Sequence, residues 1–530
     1  MLAALIALPA APVAQAQVRL PSLGETASSD LSVGAERRLG EQIMREARRD
    51  PLYFDDPVLL EYVQSIWQPL VAAARQVGNI DAETEHSFAW EAFLVRDRSV
   101  NAFALPGGYV GMHLGLISIT TTADQLASVL AHELTHVTQR HIARSIAPQQ
   151  QASLMAIAGL LLGIIAASRA NNADIANAAM MGSQGAAVQT QLNFSRDMER
   201  EADRVGYGLL STAGYSPAGM AAMFERMDLA TRLNDSGGFP YLRSHPLTVD
   251  RISEARNRTL LGGGTAPQPT VVHSMMQMRA RVLMDDNAQA LQRLNGNTSS
   301  ALLADRIGAL YGGALAASLL RDHERAQRQV AQALQLVSSA QPSEPQADRL
   351  LRLLQAQVLL ARGDAAGALQ SLDTLANSTG GPAHGGRPGL LLRGQAALAL
   401  RRSDTSAAAV PLRTSTEALQ TWLAENANDA AAWELLSGTS DALALQLRAM
   451  RAGAEARAVV GDLNGAIDRL RSAQAASKTP AAQDFIEASV IDARLRQLTA
   501  QRRQLALEAR GESAGRSAPR DEPRDEPPPQ

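Results

Sequence analysis

Two histidines and a glutamate in the run His132-Glu133-Leu134-Thr135-His136 have the types and spacing from which a hydrolytic zinc site is built. On a helix, His132 and His136 stand one turn apart and offset by about 40°, so both imidazoles reach a single ion from one face. Glu133 lies about 100° round from His132. It is badly placed to share the ion and well placed to take a proton from water beside it, the general-base role that peptide hydrolysis needs.

Two histidines do not complete the site, because a catalytic zinc takes three protein donors and leaves one position open. The later candidates are His141, Glu199, Glu201, Asp203 and His245. On a continued helix His141 falls about 140° round from His136 and points away, as a surface or packing residue. Glu199 and Asp203 are four residues apart and share a helix face, with Glu201 near the opposite side. Glu199 is therefore expected as the third ligand. Asp203 is expected as the carboxylate that orients a ligand histidine through its other ring nitrogen.

The elements that must carry these residues are legible around them. Thr122 with Gln125 forms a capping box, and Leu126, Val129, Leu130 and Val137 form an apolar stripe beside the histidine face. Ahead of this helix, FAWEAFLV at 88–95 suits a strand, and NAFALPGGYVGMHLGLI reads as two short strands about a turn at Pro106-Gly107-Gly108. A small sheet then leads into the metal helix, with an edge strand at Asn101, Ala102, Phe103, Ala104 and Leu105 along which an extended peptide can be held by main-chain hydrogen bonds. Beyond Ser195 a second helix carries Glu199 and Asp203 and ends near Gly214, before Pro217.

The expected domains are a metal-binding domain at 17–260, a Gly/Pro-rich linker at 261–270, helical repeats at 271–510 and a disordered Pro-rich tail at 511–530. In the repeat region an Asp recurs with an Ala four residues on, at Asp322/Ala326, Asp364/Ala368, Asp404/Ala408 and Asp462/Ala466. Their pattern is similar to tetratricopeptide repeats, although the intervals of 42, 40 and 58 residues (322 to 364, 404 and 462) exceed the usual period of about 34.

Aromatics make up only 4% of the 530 residues, and the Ala/Leu/Gln/Arg-rich second half favours helices. The net charge of −3 argues against nucleic-acid binding. Residues 1–16, MLAALIALPAAPVAQA, read as a signal peptide with a small-x-small site at Ala14-Gln15-Ala16, although no Lys or Arg precedes the apolar run. The chain has no cysteine, so no disulfide framework bears on its compartment. The apolar stretch 154–167 is too short for a membrane span and reads as a buried hairpin helix, or as a segment that lies against a membrane or lids the cleft.

HELTH, then SRDMEREAD, then SHPLTVDR, in that order and ahead of helical repeats, resembles the HtpX-like and CAAX-prenyl-protease-related zinc metallopeptidases. NAFALPGG also fits that family's cleft-lining segment. The resemblance implies a mainly α protein in which a zincin-like metallopeptidase domain with a small β-sheet precedes a tetratricopeptide-like solenoid. It puts the third ligand on Glu199. It further implies a periplasmic endopeptidase that degrades misassembled outer-membrane β-barrel proteins and assists their assembly, with the repeats docking on the β-barrel assembly machinery. His245 reads either as a loop histidine or as a fourth ligand that closes the site. Arg251, at the family's basic position, either stabilises the substrate carbonyl or holds a carboxylate. The rival reading is a periplasmic chaperone or scaffold with a structural zinc, in which Glu133 would have no task.

Overall fold

The computed structural model describes residues 31–145, 195–233, 239–262, 266–294, 296, 299–378, 386–478 and 484–516. The expected signal peptide, the 154–167 segment and the end of the tail from 517 lie outside the described residues. The first part runs α1 (Val33–Ala47), β1 (Tyr53–Phe54), α2 (Pro57–Gln76), α3 (Ala82–Ser87), β2 (Glu91–Val95), β3 (Ala102–Leu105), β4 (Tyr109–His113), α4 (Leu114–Ile119), α5 (Ala123–Thr138) and α6 (His141–Ser145). After Ser195 come α7 (Arg196–Thr212), α8 (Ala218–Leu233), α9 (Tyr241–Ser244) and α10 (Val249–Gly262).

The strands form one sheet in the order β1-β2-β4-β3. The β2/β4 pair is parallel, and β3 and β4 are antiparallel arms of the expected hairpin, with Phe103 opposite Gly111. Gly107 and Gly108 make the turn at φ +77° and +89°, backbone that a side chain would strain. Because β3 pairs only with β4, its other edge carries no strand partner among the described residues. Helix α5 starts where the capping signal places it: the Thr122 hydroxyl accepts from Gln125 N at 3.3 Å, and the Gln125 side chain turns back to Thr121 N at 2.8 Å. From Gln125 to Val137 every residue of α5 is buried, so the metal helix is the centre of the domain and not a surface element.

The helical region follows as α11 (Val271–Leu283), α12 (Ala288–Arg293), α13 (Leu303–Leu319), α14 (His323–Ser338), α15 (Pro345–Ala361), α16 (Ala365–Ser378) and α17 (Gly386–Ser403). It continues through α18 (Thr405–Glu425), α19 (Ala430–Ala442), α20 (Gln446–Val459), α21 (Leu463–Ala476) and α22 (Phe485–Arg516). The recurring Asp and Ala have a physical meaning here. Asp322, Asp404 and Asp462 cap α14, α18 and α21, and Asp364 accepts from Gly367 N at 2.8 Å. Ala326, Ala368, Ala408 and Ala466, four residues on, are buried where the paired helix crosses. The long interval before Asp462 is filled by α19, which has its own Asp429 cap.

One apolar core runs from Leu31 to Val358, through the sheet, α2, α5 and on into α11, α13 and α15. The 261–270 stretch therefore joins two segments that share a core. Polar ties reinforce it. Arg279, on α11, donates to both Asp56 carboxylate oxygens at 2.7 Å and to Tyr311 Oη at 2.9 Å. His273 bridges Tyr62 Oη at 2.6 Å and Thr120 O at 3.1 Å. Beyond residue 358 the cores are small and separate, as stacked helix pairs require.

Candidate metal centre

Helix α5 presents His132 and His136 on one face, and α7 crosses it closely enough to bring Glu199 to the same point. Gly206 permits the crossing, since a Cβ there would stand 3.2 Å from the backbone of Ala131. His245 arrives from the short helix α9. Its ring stacks on Tyr241 at 4.6 Å and 27°, and Tyr241 N is hydrogen-bonded to Val100 O, just before the edge strand. His132, His136, Glu199 and His245 are all buried, and their donor atoms lie within 4.8 Å of one another.

The spacing within this group decides what it suits. His132 Nε2 is 3.0 Å from His136 Nε2, 3.3 Å from His245 Nδ1 and 3.5 Å from Glu199 Oε2, and Glu199 Oε1 is 3.4 Å from His136 Nε2. Donors at about 2.0–2.1 Å from a tetrahedral zinc are separated by about 3.3 Å. Charge agrees with geometry. Glu133, Glu199 and Asp203 are buried carboxylates, and the guanidinium of Arg251 pairs with the last two. Formally that leaves two negative charges, which a divalent cation balances.

Supporting contacts hold these candidate ligands in place. His132 Nδ1 donates to Asp203 Oδ1 at 3.0 Å, which leaves Nε2 as the lone-pair nitrogen facing the donor set. Arg251 grips Asp203 through Nε at 2.7 Å and Nη2 at 2.8 Å, pairs with Glu199 Oε2 at 2.8 Å and donates to Pro246 O at 3.0 Å. In this arrangement the guanidinium of Arg251 lies against two carboxylates. Glu133 is fully buried, neither of its oxygens has a hydrogen-bond partner among the described residues, and Oε1 is 3.6 Å from His245 Nε2. A carboxylate held in that way needs a proton donor in the site to satisfy it.

The electrostatics follow. Burial opposes a charge on His132, but Glu199 and the Asp203 hydrogen bond outweigh it and raise the imidazole to about 10. Burial, with His132 and His245 alongside, pushes His136 well below the usual histidine range. Burial alone would raise Glu199 and Asp203. His245 and His132 hold Glu199 far below the carboxylate range, and Arg251 and His132 bring Asp203 to about 2. Charge is thus favoured on His132, where Glu199 and Asp203 face it, and disfavoured on His136.

The structure departs from expectation at His141. Its ring does not point away. Helix α5 ends at Thr138, and Arg140 takes φ +50° while its side chain pairs with Glu36 at 2.9 Å, so the chain turns back instead of continuing the helix. His141 is buried with Nδ1 2.8 Å from His136 Nδ1, and its Nε2 is 3.2 Å from Glu201 Oε2. Glu201 does face away from Glu199, as its position on the helix requires, but that side of α7 is where α6 packs. No residue type at 139–141 announces a left-handed arginine, so spacing alone could not place His141. Asn101 to Leu105 form or immediately precede β3, which packs against α5. Asn101 O accepts from His113 N at 3.0 Å.

The profile of peptidase family M48 matches residues 61–259. The chain is 41% identical over 244 residues to the putative β-barrel assembly-enhancing protease of Vibrio cholerae, covering 46% of this chain and 47% of that protein. It is 29% identical over 485 residues to the β-barrel assembly-enhancing protease of Escherichia coli, covering 90% of this chain and 91% of that protein. It is also 28% identical over 217 residues to the mitochondrial metalloendopeptidase OMA1 of Saccharomyces cerevisiae, 40% of this chain and 59% of that protein. The matched span 61–259 contains every residue of the buried donor set together with Glu133, and on that agreement the chain is a metallopeptidase whose residues 61–259 match family M48, similar over most of its length to the β-barrel assembly-enhancing proteases.

Proposed function

We propose that this chain is a zinc-dependent endopeptidase of the bacterial periplasm that cleaves unfolded or misassembled outer-membrane β-barrel proteins and assists their assembly. The observation that carries the chemistry is Glu133, buried and without a hydrogen-bond partner among the described residues, beside a donor set of zinc-like spacing. A structural zinc has no use for such a base, which weighs against a scaffold with an inert site.

His132, His136 and Glu199 are the ligands in this reading. A zinc ion held by them supplies Lewis acidity, making water a stronger acid and the scissile carbonyl a better electrophile. Glu133 takes the proton of the attacking water and delivers it to the departing amide nitrogen. Asp203 keeps His132 in the tautomer whose Nε2 lone pair faces the site, and Arg251 keeps Asp203 and Glu199 in place while balancing their charge. The edge of β3 that has no strand partner among the described residues aligns an extended substrate strand beside α5, so the protein selects chains whose backbone is unpaired, as an unfolded barrel strand is. His245 closes the resting site as a fourth donor, seated by Tyr241, and must swing out before water and substrate enter. The helical pairs from residue 271 form a tetratricopeptide-like surface that engages the β-barrel assembly machinery. This part of the reading is supported by the names of the relatives, which align along nine-tenths of the chain.

The test is purified zinc-loaded protein incubated with an outer-membrane β-barrel protein presented urea-diluted or prefolded in detergent, with products mapped by mass spectrometry. Internal cleavages confined to the unfolded form, and abolished by a zinc chelator, are expected. Equal cleavage of both forms, or chelator-insensitive cleavage, would refute the selection or the metal chemistry respectively.

A further inference from the structure

The two ligand histidines are supported in different ways. His132 leans directly on a carboxylate, Asp203, itself clamped by Arg251. At the Nδ1 of His136 stands His141, at 2.8 Å. Hydrogen-bond chemistry then fixes both tautomers. His136 Nε2 faces the donor set, 3.0 Å from His132 Nε2 and 3.4 Å from Glu199, so its lone pair lies there and its proton lies on Nδ1. His136 Nδ1–H donates to His141 Nδ1, which must accept. His141 therefore carries its proton on Nε2 and donates it to Glu201 Oε2 at 3.2 Å. Glu201 is held in turn by Arg144 Nη1 at 3.1 Å. Both rings are buried, and the turn at Arg140 that places His141 is anchored to Glu36 and to the carbonyl of Leu31.

We propose that His141 and Glu201 are positioning residues for the metal, an imidazole-extended carboxylate arm that holds the His136 ring and its tautomer. The inference rests on the metal-site reading above and extends it to two residues outside the donor set. A histidine that only filled space would be replaceable by any ring of its size. One that must accept from His136 and donate to Glu201 is replaceable only by a group that does both, and a glutamine amide can.

The experiment is zinc affinity of the full chain by competition with a chromophoric chelator, with apo-protein folding followed by circular dichroism and thermal unfolding. The proteins are wild type, His141→Phe, His141→Gln and Glu201→Gln. Losing such outer support weakens metal binding by about ten- to hundredfold. His141→Phe is expected in that range, with His141→Gln restored to within a few-fold of wild type. Glu201→Gln, at a partly exposed position that leaves folding intact, is expected to weaken binding by a smaller factor. A folded His141→Phe protein that binds zinc as wild type does would overturn the inference while leaving the metal site standing. So would a His141→Gln protein as weak as His141→Phe. If His141→Phe does not fold, unaltered affinity in Glu201→Gln decides against the arm. Wild type that binds no zinc would overturn both readings together.

Discussion

Asp56→Ala separates an account in which the metal domain and the first helical pairs are one folding unit from one in which they are beads on a string. Asp56 does two jobs with one buried carboxylate. Its Oδ1 caps α2 by accepting from Leu59 N at 2.8 Å, and both oxygens take the Arg279 guanidinium at 2.7 Å. A lost cap costs about 1 kcal/mol. A buried pair broken from one side costs about 3–5 kcal/mol, because Arg279, whose side chain is 2% exposed, keeps its charge in the core with Tyr311 Oη as the partner that remains among the described residues. Oδ1 serves both partners, so the terms do not simply add, and about 4 kcal/mol is expected. That is a large fraction of a typical domain stability of about 5–15 kcal/mol. Asp56→Asn keeps the cap and loses the charge, and should fall by about 3 kcal/mol. Asp56→Asn combined with Arg279→Met removes the unpaired cation and should recover most of it. Hydrogen exchange read by mass spectrometry under native conditions locates the effect: in Asp56→Ala, protection should fall together in α2, α5, α11 and α13. Protection lost in α11 and α13 while α2 and α5 keep theirs, or a total change under about 1 kcal/mol, would refute the shared unit.

Two further perturbations test other parts of the structure. His273 is buried and satisfied as a neutral ring, donating from Nε2 to Thr120 O and accepting from Tyr62 Oη, and burial brings it down to about 4. The unfolded chain binds that proton near pH 6.5, so the stability His273 contributes is complete above about 6.5, falls as the pH drops and is gone below about 4. A gap of about 2.5 pH units corresponds to roughly 3 kcal/mol at most. Urea unfolding at pH 7 and pH 5 should show a shallower loss for His273→Gln than for wild type; parallel losses would count against it. His245→Ala removes a ring stacked on Tyr241 and bonded to Glu199 at 2.9 Å, together worth about 2 kcal/mol net. Basal cleavage of an unfolded client should rise by roughly 30-fold with zinc retained, and an unchanged or lower rate would dismiss the gate.

Much of the site was readable because its pieces are local. The i, i+4 histidines, the i, i+4 pair Glu199 and Asp203, and the capping pair Thr122/Gln125 each lie within two turns of helix, where spacing fixes direction. The hairpin was announced by Pro106-Gly107-Gly108, and the recurring Asp proved to be a helix cap with a buried Ala one turn on. What escaped the reading depends on distant partners. His141 was misplaced because a helical wheel assumes the helix continues, and Arg140 leaves it in a left-handed conformation stabilised by Glu36, far back in the chain. The Asp56–Arg279 pair joins residues separated by 223 positions, and its two members carry no local mark of burial. The close crossing at Gly206 is visible only once α7 lies on α5.

The central claim is that Glu133 is the base of a zinc peptidase whose ligands are other residues. Glu133→Gln, purified beside wild type, should keep one zinc per chain by metal analysis and lose cleavage of an unfolded barrel protein by roughly 10²–10⁴-fold. Client turnover at the wild-type rate by the zinc-loaded variant would contradict the account, as would loss of the metal along with activity, which would make Glu133 a ligand and not the base.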